Sequence, residues 1–289
     1  MSTSQTPFPD LPNIGIKFPH SPITLAALEY TKQHTTAATY NHCIRSAYWA
    51  LILAKKLPNF SSLLSSSSST SSGQSHSSSG PRQLNIETVV LATILHDMGW
   101  ATTKELISKD KRFEVDGANL AYEFVGRYVA EGGEGAEDWA GHQNEHGHGL
   151  RKSVVWDAIA LHCTGSIALH HPSPEVALAH LAIITDFLGP KFPPGDGKVI
   201  TVEEYKTVVR HFPMSGFGSD RLKEIMCGLC REKPTTAYDN FVGVFGARYG
   251  LDTKGGGKEE FKKEMEKEDT VGMLLDGLDY LEGLLREDV

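Results

Sequence analysis

Long apolar runs are missing from this sequence. No stretch approaches the ~20 residues needed to cross a bilayer, and the opening MSTSQTPFPDLPNIGIKFPH holds no charged segment followed by an apolar one. The expectation is a cytoplasmic chain with no membrane partner and no secretory leader. Cysteine is scarce too: Cys43, Cys163, Cys227 and Cys230 are too few to staple 289 residues, so stability must rest on a core. Cys227 and Cys230 form one CxxC without a second pair, which favours two half-buried small residues on a helix over a zinc knuckle. Blocks of basic residues are absent, and 28 Lys and Arg stand against 36 Asp and Glu for a net charge of −8. That balance argues against nucleic acid and for a small-molecule substrate. Neither strand alternation nor a fixed-period repeat is present. What the chain does have is 40% hydrophobic residues, enough for one large core.

Residues 1–20 carry four prolines and read as an extended N-terminal arm. Ser21-Pro22 opens a helix through ITLAALEYTKQH, and a second runs from Thr36 through YNHCIRSAYWALILAKKL to Pro58. The Ser-rich insertion 61–82, with 13 serines between 61 and 80, cannot enter a core and is expected to be disordered. Asn85 caps a helix from Ile86 to about Asp97 that is apolar on most sides and so belongs inside the core. FEVDGANLAYEFVGRYVAE (113–131) forms a helix behind Asp116, Ser153 opens one ending near His162, and Ser173-Pro174 opens one ending at Gly189-Pro190. Four more helical periods follow residue 190. The expected fold is all-α: one helical domain over 21–289, whose part from 190 to 289 is a C-terminal helical extension.

His42 lies on an early core helix, His96 and Asp97 are adjacent at the end of another, and Asp186 lies late on a third. Imidazole and carboxylate together suit Zn²⁺, Fe²⁺, Mn²⁺ or Ni²⁺, and in a helical bundle each ligand comes from a different helix. Taken singly, each of these residues is equally a capped helix end or a satisfied core group.

The order and context of the set resemble the HD-domain superfamily, with its H…HD…D metal series, and more closely its cyanamide hydratase-like branch, found in fungi. The likeness is carried by TTAATYNHCIRSAYW (35–49), TILHDMGW (93–100), RFEVDGANLAYEF (112–124), VWDAIALHC (155–163) and PEVALAHLAIITDFLG (174–189). Weaker likeness continues in RHFPMSGF (210–217) and CGLCREKPTTAYDNF (227–241). The resemblance implies an HD-domain helical bundle with His42, His96, Asp97 and Asp186 as ligands of one zinc-like ion. Two-metal members place a further histidine four residues before a Gly-Ala pair; here the pair is Gly117-Ala118 and Phe113 stands in that place. One ion per chain is therefore expected.

An ion with an open position lowers the pKa of bound water towards ~7, giving a hydroxide able to attack an electrophilic carbon. With the resemblance, the reaction implied is hydration of cyanamide to urea, a hydro-lyase activity; the alternative is an HD-type phosphohydrolase acting on a nucleotide or phosphomonoester. Asp97 and His162 are the expected catalytic groups, His162 because an imidazole near its ordinary pKa of ~6.5 moves protons both ways; otherwise it bonds a backbone carbonyl at its helix end. Thr185 is expected to offer its hydroxyl to the site, or to bond back to its own helix. Asn41, Phe113 and Glu114 are expected beside the substrate, with a core amide bond for Asn41 and an ion pair for Glu114 as alternatives, while Asp116 is read as a helix N-cap. Arg45 either binds a substrate phosphate or pairs with a core carboxylate. His142, His146 and His148, in the glycine-rich GHQNEHGHG, are read as an exposed loop outside the site. The sequence leaves a homo-oligomer open.

Overall fold

A computed structural model describes residues 8–64, 83–140, 151–192 and 198–287. Among these the only extended pairing is an isolated bridge between Leu11 and Ile16, so the all-α expectation holds. The chain divides into two compact units, 1–108 with 113–217 and 109–112 with 218–289. Against the expectation of one domain over 21–289 with an extension from 190, the division falls after Phe217, because the helix that follows residue 190 packs on helices of the first unit.

The first unit contains α1 Pro22–His34, α2 Ala37–Lys56, α3 Pro58–Leu64, α4 Ile86–Leu95, α5 Phe113–Ala130, α6 Arg151–Ala160, α7 Gly165–Ala168, α8 Pro174–Leu188 and α9 Val202–His211. The first four residues of the expected insertion, 61–64, complete α3; residues 65–82 lie outside the described residues, as do the histidines of GHQNEHGHG. Of the expected arm, residues 8–20 are described, and they pack on α2 and on one another. Phe8 stacks on Phe18 at 4.0 Å, and the Tyr48 hydroxyl donates to Pro9 O at 2.7 Å.

α2 and α4 are the inner helices. The Thr36 hydroxyl accepts from Thr39 N to start α2, and Asn85 Oδ1 accepts from Thr88 N to start α4. Every residue of α4 from Thr88 to Leu95 is buried, as is every residue of α2 from His42 to Ala54. α2 packs against α4 and α8, and α4 against α1, α6 and α8. Such all-round apolar helices need neighbours on every side.

α4 stops at Leu95, before the expected end, and His96–Trp100 form a 3-10 turn with Asp97 at φ −97°, ψ 21°. The turn lies hard against the start of α5: a Cβ on Gly99 would fall 1.9 Å from Phe113 O, and one on Gly117 would fall 2.8 Å from His96 O. α5 begins at Phe113, so Asp116 is not an N-cap; it lies in the first turn beside Glu114, where a carboxylate faces the positive end of the helix dipole. The helix expected from Ser153 already includes Arg151 and Lys152.

The second unit contains α10 Ser219–Glu232, α11 Phe241–Tyr249, α12 Lys258–Glu266 and α13 Thr270–Glu287. Cys227 and Cys230 are fully rather than half buried on α10, and the Cys230 thiol, pushed up to about 11 by burial, donates to Val242 O at 3.3 Å. No helix among the described residues is long and apolar enough to cross a membrane.

Candidate metal centre

α2, the turn after α4, and α8 bring His42, His96, Asp97 and Asp186 to one buried place, all at most 2% exposed. Within it, one ligand atom each from His42, His96 and Asp97 lies within 4.8 Å of the others. His42 Nε2 and His96 Nε2 are 3.2 Å apart, and Asp97 Oδ2 is 3.5 Å from the first and 3.2 Å from the second. Each ring is held from behind. His42 Nδ1 meets Asp186 Oδ2 at 2.7 Å, and His96 Nδ1 meets Thr93 O at 2.9 Å. A carbonyl or carboxylate accepts a hydrogen bond from Nδ1–H, so that each ring in its neutral form turns the Nε2 lone pair inward, as a metal-ligating histidine requires.

Neither oxygen of Asp97 has a hydrogen-bond partner, although both are buried. Burial alone would push this carboxyl up, yet the imidazoles of His96, His42 and His162 hold it below the ordinary carboxylate range. His96 in turn, despite its burial, is held well above its ordinary value by Asp97 and Cys43. Two inward nitrogens and an unsatisfied anion at this spacing fit a divalent cation of the Zn²⁺, Fe²⁺, Mn²⁺ or Ni²⁺ type.

Asp186, expected as the fourth ligand, stands outside this trio, and the reason is saturation. Its Oδ1 accepts from Arg45 Nε at 2.8 Å and Trp49 Nε1 at 2.7 Å; its Oδ2 accepts from Arg45 Nη2 at 2.7 Å and from His42 Nδ1. Four donors hold its pKa down to about 2, against the upward push of burial. Arg45 accordingly takes the second of its two expected roles, pairing with a core carboxylate, and its Nη1 donates to the carbonyls of Phe212 and Pro213. His42, Arg45 and Trp49 are spaced by three and four residues on α2, so one helical face delivers all three. Trp49 was legible from that spacing and was missed.

His162 follows the end of α6, with Nδ1 on Ile159 O at 2.6 Å and Nε2 4.0 Å from Asp97 Oδ1. The helix-end carbonyl contact is thus present, and the other ring nitrogen faces Asp97. Its pKa differs from the expectation: burial, with His96 adding, lowers it to about 3, so the ring is neutral. The Thr185 hydroxyl donates to Leu181 O at 2.7 Å, the back-bonded alternative. Asn41 Nδ2 donates to Pro213 O at 3.3 Å, while Phe113 and Glu114 are buried in the first turn of α5.

Aromatic rings surround the trio. Phe217 stacks on His42 at 4.3 Å, Phe187 meets it edge-on at 5.1 Å, and Trp100 lies parallel at 6.4 Å. Phe113 joins Trp100, at 5.5 Å, to His162, at 5.6 Å. Trp100 Nε1 is buried without a partner. Trp100 and Phe217 stand inside the quoted motifs but carry no ligand chemistry, and Phe187 follows Asp186, so sequence alone gave no reason to single them out.

A search of curated proteins returns no match to the chain. The HD domain model matches residues 39–186, just over half of the chain and a span that opens three residues before His42 and closes on Asp186. The chain thus belongs to the HD domain family, whose members are typically metal-dependent hydrolases.

Proposed function

We propose that the protein hydrates a small, uncharged, nitrile-like substrate, cyanamide first, to give urea, using one divalent ion per chain held by His42, His96 and Asp97. The observation that carries the choice of substrate is the commitment of Arg45. A phosphohydrolase needs free cationic groups to neutralise phosphate, whereas all three nitrogens of Arg45 donate within the protein, and Lys104 is exposed on the surface. The aromatic walls suit a flat, uncharged molecule. When bound, the ion, zinc in the first instance, supplies a Lewis acid and an acidified water.

The chain's own groups supply the rest. Asp186 positions the His42 ring and fixes its tautomer, as an orienting carboxylate behind a ligand. His162, neutral and anchored through Nδ1, presents Nε2 towards Asp97, where it accepts a hydrogen bond from the attacking water and orients it, while the oxygen of that water adds to the nitrile carbon and its proton passes to the substrate nitrogen. Trp100 Nε1, a buried donor with nothing to donate to, hydrogen-bonds the nitrile nitrogen as negative charge develops there. Phe113, between Trp100 and His162, and Glu114 beside it in the first turn of α5 are assigned to the substrate, and Thr185, bonded back to Leu181 O, needs no catalytic part.

The test is elemental analysis together with urea release from cyanamide and phosphate release from nucleotides. We expect one ion per chain, urea formation, loss of turnover in H96A and at least a tenfold fall in kcat in W100F. Phosphate release without urea formation overturns the substrate assignment; undiminished turnover in H96A overturns the site.

A further inference from the structure

The three groups assigned to the ion are sealed from solvent. His42, His96 and Asp97 are each at most 1% exposed, so neither an ion nor a substrate reaches them unless a side chain moves aside. The rings around them differ in how freely they can do so. Phe113 is 2% exposed and Phe217 6%. The loop carrying Phe217 is also pinned to α2: Arg45 Nη1 donates to the carbonyls of Phe212 and Pro213, and Asn41 Nδ2 donates to Pro213 O. Trp100 reaches the surface in part, but it stands in the turn whose backbone lies hard against α5.

Phe187 is placed differently. It is 41% exposed, yet its ring lies edge-on to His42 at 5.1 Å and 5.6 Å from Phe217. A single side chain thus reaches from solvent to the ring of a ligand. It is the penultimate residue of α8, and Leu188 after it is also exposed, so the outer side of the ring faces water. A ring enclosed in the core turns only if its close-packed neighbours shift. A side chain open on one side changes rotamer within picoseconds to nanoseconds.

We infer that Phe187 is the gate of the metal centre: its ring swings outward to open the way to His42, and its bulk limits the size of what passes. The inference rests on His42, His96 and Asp97 as the ion's ligands, and it deepens the proposed function by restricting the substrate class to compact nitriles without an aryl substituent. A gate has a kinetic signature that a support lacks. A side chain standing in the path raises the barrier to entry and to exit alike and leaves the equilibrium between free and bound ion unchanged. A ring that instead held His42 in place would change the affinity itself.

Stopped-flow measurement of zinc uptake by the metal-free full chain, and of zinc loss extrapolated to zero chelator, tests the gate in wild type, F187A and F187L. Both rates should rise about tenfold in F187A and less in F187L, with their ratio, the dissociation constant, unchanged. For the substrate, the kcat/KM of N-phenylcyanamide relative to that of cyanamide should rise about tenfold in F187A. Wild-type exchange rates in F187A overturn the inference, and so does a change in one rate alone, because Phe187 would then support the His42 ring rather than guard it. Faster exchange with an unchanged ratio of the two substrates overturns the size limit. A wild-type chain that hydrates no nitrile defeats the proposed function instead, and the zinc rates still decide the gate.

Discussion

The Nε2 atoms of His42 and His96 face each other across 3.2 Å, while the Nδ1 of each ring is already engaged, by Asp186 and by Thr93 O. Two bare lone pairs at that distance would repel, and Asp97 Oδ2, 3.2 and 3.5 Å away, favours a proton on His96 instead, holding that ring well above its ordinary value. A divalent cation at the same place would take over the role of that proton for all three groups.

D97N tests the carboxylate in both states. The imidazoles of His96, His42 and His162 hold its pKa below the ordinary range, so the anion contributes stability even without a metal. Metal-free D97N should therefore be less stable than the metal-free wild type at pH 7. With zinc at about 100 times its dissociation constant, the wild type should gain ~2.7 kcal/mol and D97N far less. Thermal melts with and without chelator check both halves; a D97N protein that is unstable without metal but gains from zinc as the wild type does would contradict the ligand assignment.

R45A separates structure from substrate binding. Arg45 is fully buried and its guanidinium bonds both oxygens of Asp186. Removing it leaves Asp186 charged in the core, a loss of ~3–5 kcal/mol by denaturant unfolding. R45K should recover only part, because an ammonium cannot reproduce the two-pronged contact. If R45A keeps wild-type stability and loses only turnover, Arg45 serves the substrate and the phosphate reading returns.

Glu204 gives the fold a pH dependence with a defined sign. Burial pushes its carboxyl up, but hydrogen bonds from Lys56 and Thr201 outweigh that and hold it below its ordinary 4.5. A carboxylate whose folded pKa is depressed adds stability above its unfolded pKa and loses it as pH falls through the folded value. The difference in denaturation midpoint between wild type and E204Q should be full at pH 7, shrink below pH 4.5 and disappear at lower pH. A difference constant from pH 7 to pH 3 would show that the charge contributes nothing.

How much of this was legible in the sequence differs from group to group. Helix starts at Ser21-Pro22, Asn85 and Ser173-Pro174 could be read because capping is local chemistry. The candidate metal cluster of His42, His96 and Asp97 could be read because the H…HD…D series fixes residue types and order. Asp186 belonged to the same series, yet its four hydrogen-bond donors come from α2, more than 130 residues earlier in the chain, and no local pattern says whether a carboxylate will meet a metal or an arginine. The pKa of His162 was misjudged for a related reason: spacing puts it at a helix end, but only packing determines that its ring is buried beside His96. The early end of α4 was hidden too, because it depends on how closely α5 approaches.

That approach yields the sharpest steric prediction. Gly99 sits in the turn that holds His96 and Asp97, and a Cβ there would lie 1.9 Å from Phe113 O and 2.7 Å from its carbonyl carbon, both backbone atoms that cannot rotate aside. G99A must therefore displace either the turn or the first turn of α5, at a cost of at least ~3 kcal/mol. Displacing the turn moves His96 and Asp97 together relative to His42 on α2, so zinc affinity should fall together with stability. G126A is the control on α5 itself, since a Cβ there meets nothing within 4 Å, and alanine in a helix interior should add up to about 1 kcal/mol. Denaturant unfolding and zinc titration of both variants check this; G99A with unchanged zinc affinity would mean that the close contact with α5 does not hold the metal turn in place.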